Sequence, residues 1–90
     1  MKADKNQITN LLKTAKGQLD GLLKMVDEDR DCVEISTQLS ATQSIIKKVN
    51  LEILEAHLNC CVKNTLENGN EDQKQQRIKE IITLINRITK

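Results

Sequence analysis

One histidine and three cysteines are the residues of this sequence with the clearest capacity for metal or sulfur chemistry. The segment "EAHLNCCVKN", residues 55–64, contains His57, Cys60 and Cys61, and "DRDCVEIS" contains Cys32. Imidazole nitrogen and thiolate sulfur are the ligands that soft and borderline metal ions prefer in proteins. The four residues therefore define a candidate metal site, provided that the elements carrying them can bring them together.

Helical spacing separates the two adjacent cysteines. An α-helix turns by about 100° per residue, so His57 and Cys61, which are four residues apart, lie on one face. Cys60 points about 100° away from Cys61 and falls on the apolar seam of the helix. The spacing predicts that His57 and Cys61 form a ligand pair and that Cys60 is a buried thiol of the core.

Cys32 lies too far along the chain to join this pair within one protomer. On a continuous helix the 25 residues from Cys32 to His57 span about 37 Å at 1.5 Å per residue, whereas a metal–ligand bond is about 2.0–2.3 Å long. A second copy packed antiparallel solves the problem, because Cys32 of one long helix then lies beside His57 and Cys61 of the other. Symmetry makes two such sites per dimer.

The ligand set of two thiolates and one imidazole indicates which metal would bind. Structural zinc normally takes four ligands, whereas soft thiolates select monovalent copper. Cys32 would stand at the first position of a helix, where the helix dipole favours the thiolate. The spacing alone is equally compatible with cysteines that act as small apolar residues and a histidine that binds no metal.

The composition predicts one all-α domain, residues 1–90, to carry these residues. The chain has no Phe, Trp, Tyr or Pro, and its formal net charge is +1, which does not by itself indicate nucleic acid. Its lean aliphatic core favours oligomerisation. No apolar run reaches membrane-spanning length and no signal peptide opens the chain, so no membrane partner is expected. An odd number of cysteines, three, fits a reducing cytoplasm.

Apolar periodicity predicts three helices, the central one long. Residues of about 6–27 form the first helix, with a heptad seam of Ile8, Leu12, Ala15, Leu19, Leu22 and Val26. The second helix runs to about Glu67, with a seam of Ile35, Leu39, Thr42, Ile46, Val49, Ile53, Ala56 and Cys60. The third carries Ile78, Ile81, Ile82, Ile85 and Ile88.

The ends of these helices are predicted from local signals. Asp31, followed three positions later by Glu34, is typical of a capping box at the start of the second helix. Gly69 in "NGN" predicts a left-handed residue that ends it. Asn70 with Gln73 predicts the cap of the third helix.

Three segments together resemble the copper-sensing repressor (CsoR/RcnR) family over nearly the whole chain. They are "LLKTAKGQLDGLLKMV", "DCVEISTQLSATQSIIKKVN" and "EAHLNCC". The resemblance implies a dimer of dimers built from three-helix protomers, that is, antiparallel homodimers assembling into a homotetramer. It also implies binding to operator double-stranded DNA without a helix-turn-helix, and release when Cu(I) binds.

The resemblance also implies roles for individual residues. Copper-responsive members carry Cys, then His 25 residues later, then Cys four beyond, which matches Cys32, His57 and Cys61 as the Cu(I) ligands. Glu80 in "IKEII" matches the glutamate that supports the metal-ligating histidine. Four lysines stand at or beside basic positions of the family's DNA face: Lys13, Lys16, Lys47 and Lys48. As a set, repeated in a tetramer, they would bind phosphate.

This sequence departs from the family pattern at three positions. Asp31 replaces the tyrosine that often precedes the first ligand in copper members, so part of the usual support of the site is missing. Leu11 and Leu51 replace basic residues of the DNA face. Each remaining lysine, taken alone, is also compatible with a solvated helix surface that does not contact DNA.

Other functions remain open at this stage. Persulfide-sensing members of the family keep cysteines at the positions of Cys32 and Cys61 but lack the histidine, and here the spare thiol of Cys60 could join sulfur chemistry. Nickel, cobalt and formaldehyde sensors of the family use other ligands at the third or fourth position. A copper-buffering helical oligomer with no DNA role is a further alternative. An enzyme is not expected, because the cysteines have no C-x-x-C spacing and no oxyanion or general-base arrangement around them.

Overall fold

The computed structural model describes residues 1–89, so the final residue of the predicted domain, at position 90, lies outside the described part. The helices are α1 (Lys5–Asp27), α2 (Cys32–His57), a π-helical turn (Leu58–Val62), α3 (Lys63–Asn68) and α4 (Glu71–Thr89). Residues 1–89 contain no strand. The all-α prediction is confirmed, as is the long central helix, which continues through the π turn into α3.

Two compact units make up the chain and are described in turn: residues 4–51, and residues 1–3 with 52–90. In the first, α1 and α2 are joined by a tight turn. Asp29 adopts a left-handed conformation with φ of 56°, which is uncommon outside glycine but tolerated by aspartate. The N–H of Arg30 then donates to the carbonyl of Met25 at 2.9 Å, which satisfies an end of α1 and reverses the chain.

The start of α2 is capped by Asp31, as predicted. Its Oδ2 accepts hydrogen bonds from the backbone N–H of Val33 at 3.0 Å and of Glu34 at 3.4 Å. The second half of the predicted capping box, in which the Glu34 side chain would accept from the backbone N–H of Asp31, is wrong. The Glu34 carboxylate accepts from the Arg30 guanidinium instead, at 2.8 and 3.1 Å. A charged partner in the preceding turn is the stronger donor.

Residues of α1 and α2 that are buried lie on one stripe of each helix: Ile8, Ala15 and Leu22, with Thr42 and Val49. The hydroxyl of Thr42, only 2% exposed, donates to the side-chain oxygen of Gln18 at 2.8 Å. The same hydroxyl also lies 3.1 Å from the Gln38 carbonyl oxygen of its own helix, so the Gln18 contact adds a link between α1 and α2 to a local hydrogen bond.

Part of each predicted seam is exposed in this protomer. Leu12, Leu19 and Val26 are 48%, 46% and 61% exposed, and their places on the inner stripe are taken by Leu11, Gln18 and Met25. On α2, Leu39 and Ile46 are 44% and 47% exposed, and Gln38 and Ile45 replace them. Each helix therefore has apolar residues on two neighbouring stripes, and the Gln18–Thr42 contact lies on the inner one.

In the second unit, α3 ends at Gly69 and α4 begins beyond it. The left-handed prediction for Gly69 is wrong, because its φ of −81° and ψ of 164° are extended. Glycine is needed for space instead, since a Cβ there would lie 2.5 Å from the Thr65 carbonyl oxygen. The capping box of Asn70 and Gln73 is confirmed: each side chain accepts from the other's backbone N–H, at 2.8 and 3.1 Å.

Candidate metal centre

The histidine of the candidate site ends α2 and contacts α4. The His57 Nε2 lies 2.7 Å from Oε1 of Glu80, and both side chains are about one-third exposed, at 33% and 32%. The structure therefore brings together the histidine and the glutamate that the sequence analysis paired. The other ring nitrogen of His57, Nδ1, is the one that this contact leaves for a metal.

A third residue, Arg77, contacts the same carboxylate. The Nη1 of Arg77 donates to Oε2 of Glu80 at 2.7 Å. This hydrogen bond, together with that from His57, lowers the pKa of the Glu80 carboxyl, so the group is a carboxylate and can only accept. The His57 Nε2 must then be the N–H donor, which in the neutral ring makes Nδ1 the unprotonated nitrogen able to bind a metal.

Both adjacent cysteines lie in the π turn that follows His57. Cys61 is half-buried and Cys60 is exposed, so the prediction that Cys60 is buried in the core is wrong for this protomer. The reason is the wider π turn, which places an extra residue in the helical repeat and shifts the inward face C-terminal to it. Val62, only 2% exposed, takes the buried position.

Cys32 stands exposed at the first position of α2, directly after the Asp31 cap. Within residues 1–89, no group of three or more His, Cys, Asp or Glu side chains is close enough to hold a metal ion. The donor types suit a soft metal, and the Glu80 contact leaves Nδ1 of His57 without that partner, but the described part of a single protomer does not complete the ligand set.

Sequence reasoning missed two residues next to the site, Arg77 and Thr65. The Nε of Arg77 donates to the Thr65 hydroxyl oxygen at 3.3 Å, and that hydroxyl donates to the Cys61 carbonyl at 3.1 Å. The only sequence signal was the spacing of Arg77 and Glu80, three positions apart, which is typical of a helical ion pair. The contact of Arg77 with α3 depends on how α3 and α4 pack, which no local pattern predicts.

Comparison with known proteins bears on what this arrangement is for. Residues 4–87 match the model of a family described as metal-sensitive transcriptional repressors. This chain belongs to that family. It is 40% identical over 87 residues, 97% of this chain and 83% of the relative, to a copper-sensing transcriptional repressor, CsoR, of Bacillus subtilis. It is 37% identical to a CsoR of Mycobacterium ulcerans, over 90% of this chain and 67% of that one.

Solved structures of metal-sensitive repressors have the same fold. The copper-sensing repressor CsoR with Cu(I) from Geobacillus thermodenitrificans matches with a TM-score of 0.77 at 32% identity, covering 100% of this chain and 94% of that chain. The nickel-responsive transcriptional regulator InrS matches with a TM-score of 0.79 at 26% identity, covering 98% and 96%. The family consists of repressors rather than enzymes, so the expectation that this chain is not an enzyme is confirmed.

A metal-sensitive repressor needs a surface for DNA, and four lysines were predicted to form it. Lys13, Lys16, Lys47 and Lys48 are all exposed, on α1 and α2 of the first unit. Lys13 lies five residues before Gln18 on α1, and Lys47 lies five residues after Thr42 on α2. Because the chain reverses between the two helices, both lysines stand at the same level of the pair. Of the two leucines that replace basic residues of the family pattern, Leu11 is half-buried and Leu51 is 47% exposed. No helix among the described residues could cross a membrane.

Proposed function

We propose that this repressor senses Cu(I). It binds operator DNA in its metal-free form and leaves the DNA when Cys32, His57 and Cys61 hold Cu(I), which allows genes for copper resistance or efflux to be expressed. The observation that carries the proposal is the contact of His57 Nε2 with Glu80, because it leaves Nδ1 free for a metal, four residues before the half-buried Cys61. The copper-sensing relatives, one of them solved with Cu(I), support copper as the metal.

The site requires two protomers. The helix α2 is uninterrupted from Cys32 to His57, and at about 1.5 Å per residue its ends are far beyond the reach of one metal ion. An antiparallel homodimer, with two such dimers forming a tetramer, supplies Cys32 from a second copy. The exposed apolar stripes support this assembly, since Leu19, Leu39 and Ile46 are 46%, 44% and 47% exposed in the isolated protomer.

The DNA-binding form uses the exposed lysines as phosphate contacts. Lys13 and Lys47 stand at one level of the α1–α2 pair, and a tetramer repeats that arrangement four times. Phosphate contacts of this kind give affinity and orientation, and sequence recognition comes from other contacts. The proposed site of action is the cytoplasm, where the chromosome lies.

His57 and Glu80 transmit the signal. If its Nδ1 held Cu(I), the His57 imidazole would lose electron density to the metal and its Nε2–H would become a stronger donor. Glu80 accepts that hydrogen bond and thereby ties α4 to the end of α2. By linkage, if Cu(I) weakens DNA binding, DNA must weaken Cu(I) binding by the same factor. A coupling of about 1–3 kcal/mol would change the DNA affinity roughly 5–150-fold.

A persulfide-responsive repressor is the second candidate, and the exposure of Cys60 favours it. Cys60 and Cys61 are adjacent thiols, and Cys60 is open to solvent. In that case a low-molecular-weight persulfide would transfer its outer sulfur to one of the thiols of Cys32 of one protomer and Cys61 of another. The second thiolate would attack the resulting cysteine persulfide, forming a disulfide with release of sulfide, or a longer polysulfide if further sulfur were transferred first, in place of a metal site. His57 argues for copper, since sulfur chemistry at the two cysteines does not require it.

An anaerobic titration tests the proposal. The probe is a DNA duplex that the metal-free protein itself selects from a random pool, and its affinity is measured as Cu(I) or a polysulfide is added. We expect one Cu(I) per protomer and release of the duplex. Cys32→Ala and Cys61→Ala should abolish tight Cu(I) binding, whereas Cys60→Ala should largely keep it. Release by polysulfide but not by Cu(I) would establish the second candidate, and Cu(I) binding without any DNA binding would indicate a copper buffer.

A further inference from the structure

Arg77 contacts both sides of the candidate metal centre. Its Nη1 donates to Oε2 of Glu80 at 2.7 Å, and its Nε donates to the Thr65 hydroxyl oxygen at 3.3 Å. The arginine is about two-thirds buried, with 35% of its side chain exposed, so it holds these contacts in a partly dry groove between α3 and α4. A guanidinium is suited to two contacts at once, because its donors are held in a rigid plane.

The two contacts of Arg77 lead to the two neighbouring ligands by separate routes. Glu80 Oε1 contacts the His57 ring. The Thr65 hydroxyl donates to the carbonyl oxygen of Cys61 at 3.1 Å, within the π turn. A π turn lacks the regular i to i−4 hydrogen bonds of an α-helix, so a side-chain donor to one of its carbonyls restrains its shape.

Thr65 is itself held in place. Its carbonyl oxygen accepts from the N–H of Gly69 at 2.7 Å, and a side chain at Gly69 would meet that oxygen at 2.5 Å. The end of α3 therefore packs closely against the Thr65 carbonyl group, and the Thr65 hydroxyl lies between the Cys61 carbonyl and Arg77. The position of that hydroxyl follows from the chain reversal at residues 69–70.

We propose that Arg77 is a positioning residue for the metal centre, acting on His57 through Glu80 and on Cys61 through Thr65. By holding one oxygen of Glu80, Arg77 turns the other oxygen toward the imidazole and selects the tautomer in which Nδ1 is free. By holding Thr65, it restrains the turn that carries the Cys61 thiolate. The inference rests on the proposed function in taking His57 and Cys61 as ligands.

The His57 route is tested in the metal-free protein. His57 is the only histidine of the chain, so ¹⁵N NMR of the imidazole in mildly alkaline solution reports its tautomer without ambiguity. The wild type should show Nε2 protonated and Nδ1 unprotonated. Arg77→Gln should give a mixture of the two tautomers. Arg77→Lys keeps the charge but cannot contact Glu80 and Thr65 at the same time, so it should also give a mixture.

A matched control removes a positive charge from the same helix. Arg87 is exposed on α4, and Arg87→Gln should leave the wild-type tautomer of His57 unchanged. The inference is overturned if Arg77→Gln and Arg77→Lys keep the wild-type tautomer, or if Arg87→Gln shifts it as much. The lysine variant preserves charge and helix propensity, so the test does not depend on the folding of the glutamine variant.

The Cys61 route is tested with Thr65→Val, which keeps the shape of the side chain and removes its hydroxyl. This variant should keep the wild-type tautomer of His57 but bind Cu(I) about 10-fold more weakly, as is common when the outer partners of a ligand are lost. Competition with a chromophoric Cu(I) chelator under anaerobic conditions measures the affinity. Unchanged Cu(I) affinity would overturn this route. If the wild type bound no Cu(I), the proposed function would fail while the tautomer measurement still tested Arg77.

Discussion

The Nε2 of His57 and the Oε1 of Glu80 lie 2.7 Å apart and join the last residue of α2 to the middle of α4. The contact orients the imidazole, and it occupies Nε2 and leaves Nδ1 for the proposed metal. The hydrogen bond from Arg77 to the same carboxylate lowers its pKa further below the ordinary value of a glutamate. A ligand event at His57 therefore has a direct path to α4 through a charge-assisted hydrogen bond.

Thr42→Val should destabilise the helical pair of α1 and α2 by about 1 kcal/mol, because the substitution keeps the volume but removes the donor to Gln18. Thr37→Val is the matched control, since Thr37 also donates to the carbonyl four residues earlier but is exposed. It should change stability by less than about 0.5 kcal/mol. Urea unfolding followed by circular dichroism measures both. Equal losses in the two variants would show that the Gln18 contact contributes nothing beyond the local helix.

Lys13→Ala and Lys47→Ala should weaken binding to the selected DNA duplex and leave Cu(I) affinity unchanged. Each lost phosphate contact should reduce the slope of log affinity against log salt concentration by about 1. Lys24→Ala is the control, because Lys24 is exposed on the same helix as Lys13 but lies beside Glu28, at 3.8 Å. Fluorescence anisotropy at several salt concentrations measures the slope. An unchanged slope in both lysine variants would show that Lys13 and Lys47 do not contact DNA phosphates.

The caps of α2 and α4 could be predicted from sequence because each depends on residues within three positions. Asp31 caps α2, and the Asn70–Gln73 pair caps α4. The inward stripe could not be predicted in full, because α1 and α2 each carry two apolar stripes and the choice depends on packing between the helices, which includes the Gln18–Thr42 contact across 24 positions. Sequence periodicity measures which residues could be buried, and packing decides which are.

The candidate site was predictable in its residue types but not in its detailed geometry. The spacing of His57 and Cys61, and the family resemblance that led to Glu80, identified residues that the structure places in one unit. The π turn between Leu58 and Val62 was not foreseen, and it is the reason that Cys60 is exposed. A wider turn has no strong local signal, since it forms where packing against other elements offsets poorer hydrogen-bond geometry.

The protein should be a dimer or tetramer before any metal is added, because the exposed stripe leaves aliphatic surface uncovered. Ile46→Glu should shift the assembly toward monomer, since it would place a charge in that surface. Ser44→Glu introduces the same charge on the exposed opposite side of α2 and should not. Analytical ultracentrifugation at micromolar concentration separates the outcomes. A monomeric wild type would remove the geometric basis of a shared site.

Mixed assemblies of two variants test whether each site is shared between protomers. Cys32→Ala and Cys61→Ala should each lack tight Cu(I) binding when alone. In a mixed antiparallel dimer, one site loses both cysteines and the other keeps Cys32 from one chain with His57 and Cys61 from the second. Co-expressed and purified mixed dimers should therefore bind one Cu(I) tightly. No recovery in the mixed dimer would mean that the ligands come from a single chain or from another pairing.

The most direct measurement of the central claim is the affinity of wild type and His57→Ala for the selected DNA duplex, with and without saturating Cu(I), under anaerobic conditions. The wild type should lose roughly 5–150-fold in DNA affinity when Cu(I) is added. His57→Ala should bind DNA like the wild type in the absence of copper, because His57 is not part of the proposed lysine surface that binds DNA. It should retain some Cu(I) on its two thiolates yet lose most of the change in DNA affinity. If Cu(I) releases the DNA from His57→Ala as fully as from the wild type, His57 does not transmit the signal and the proposed mechanism is contradicted.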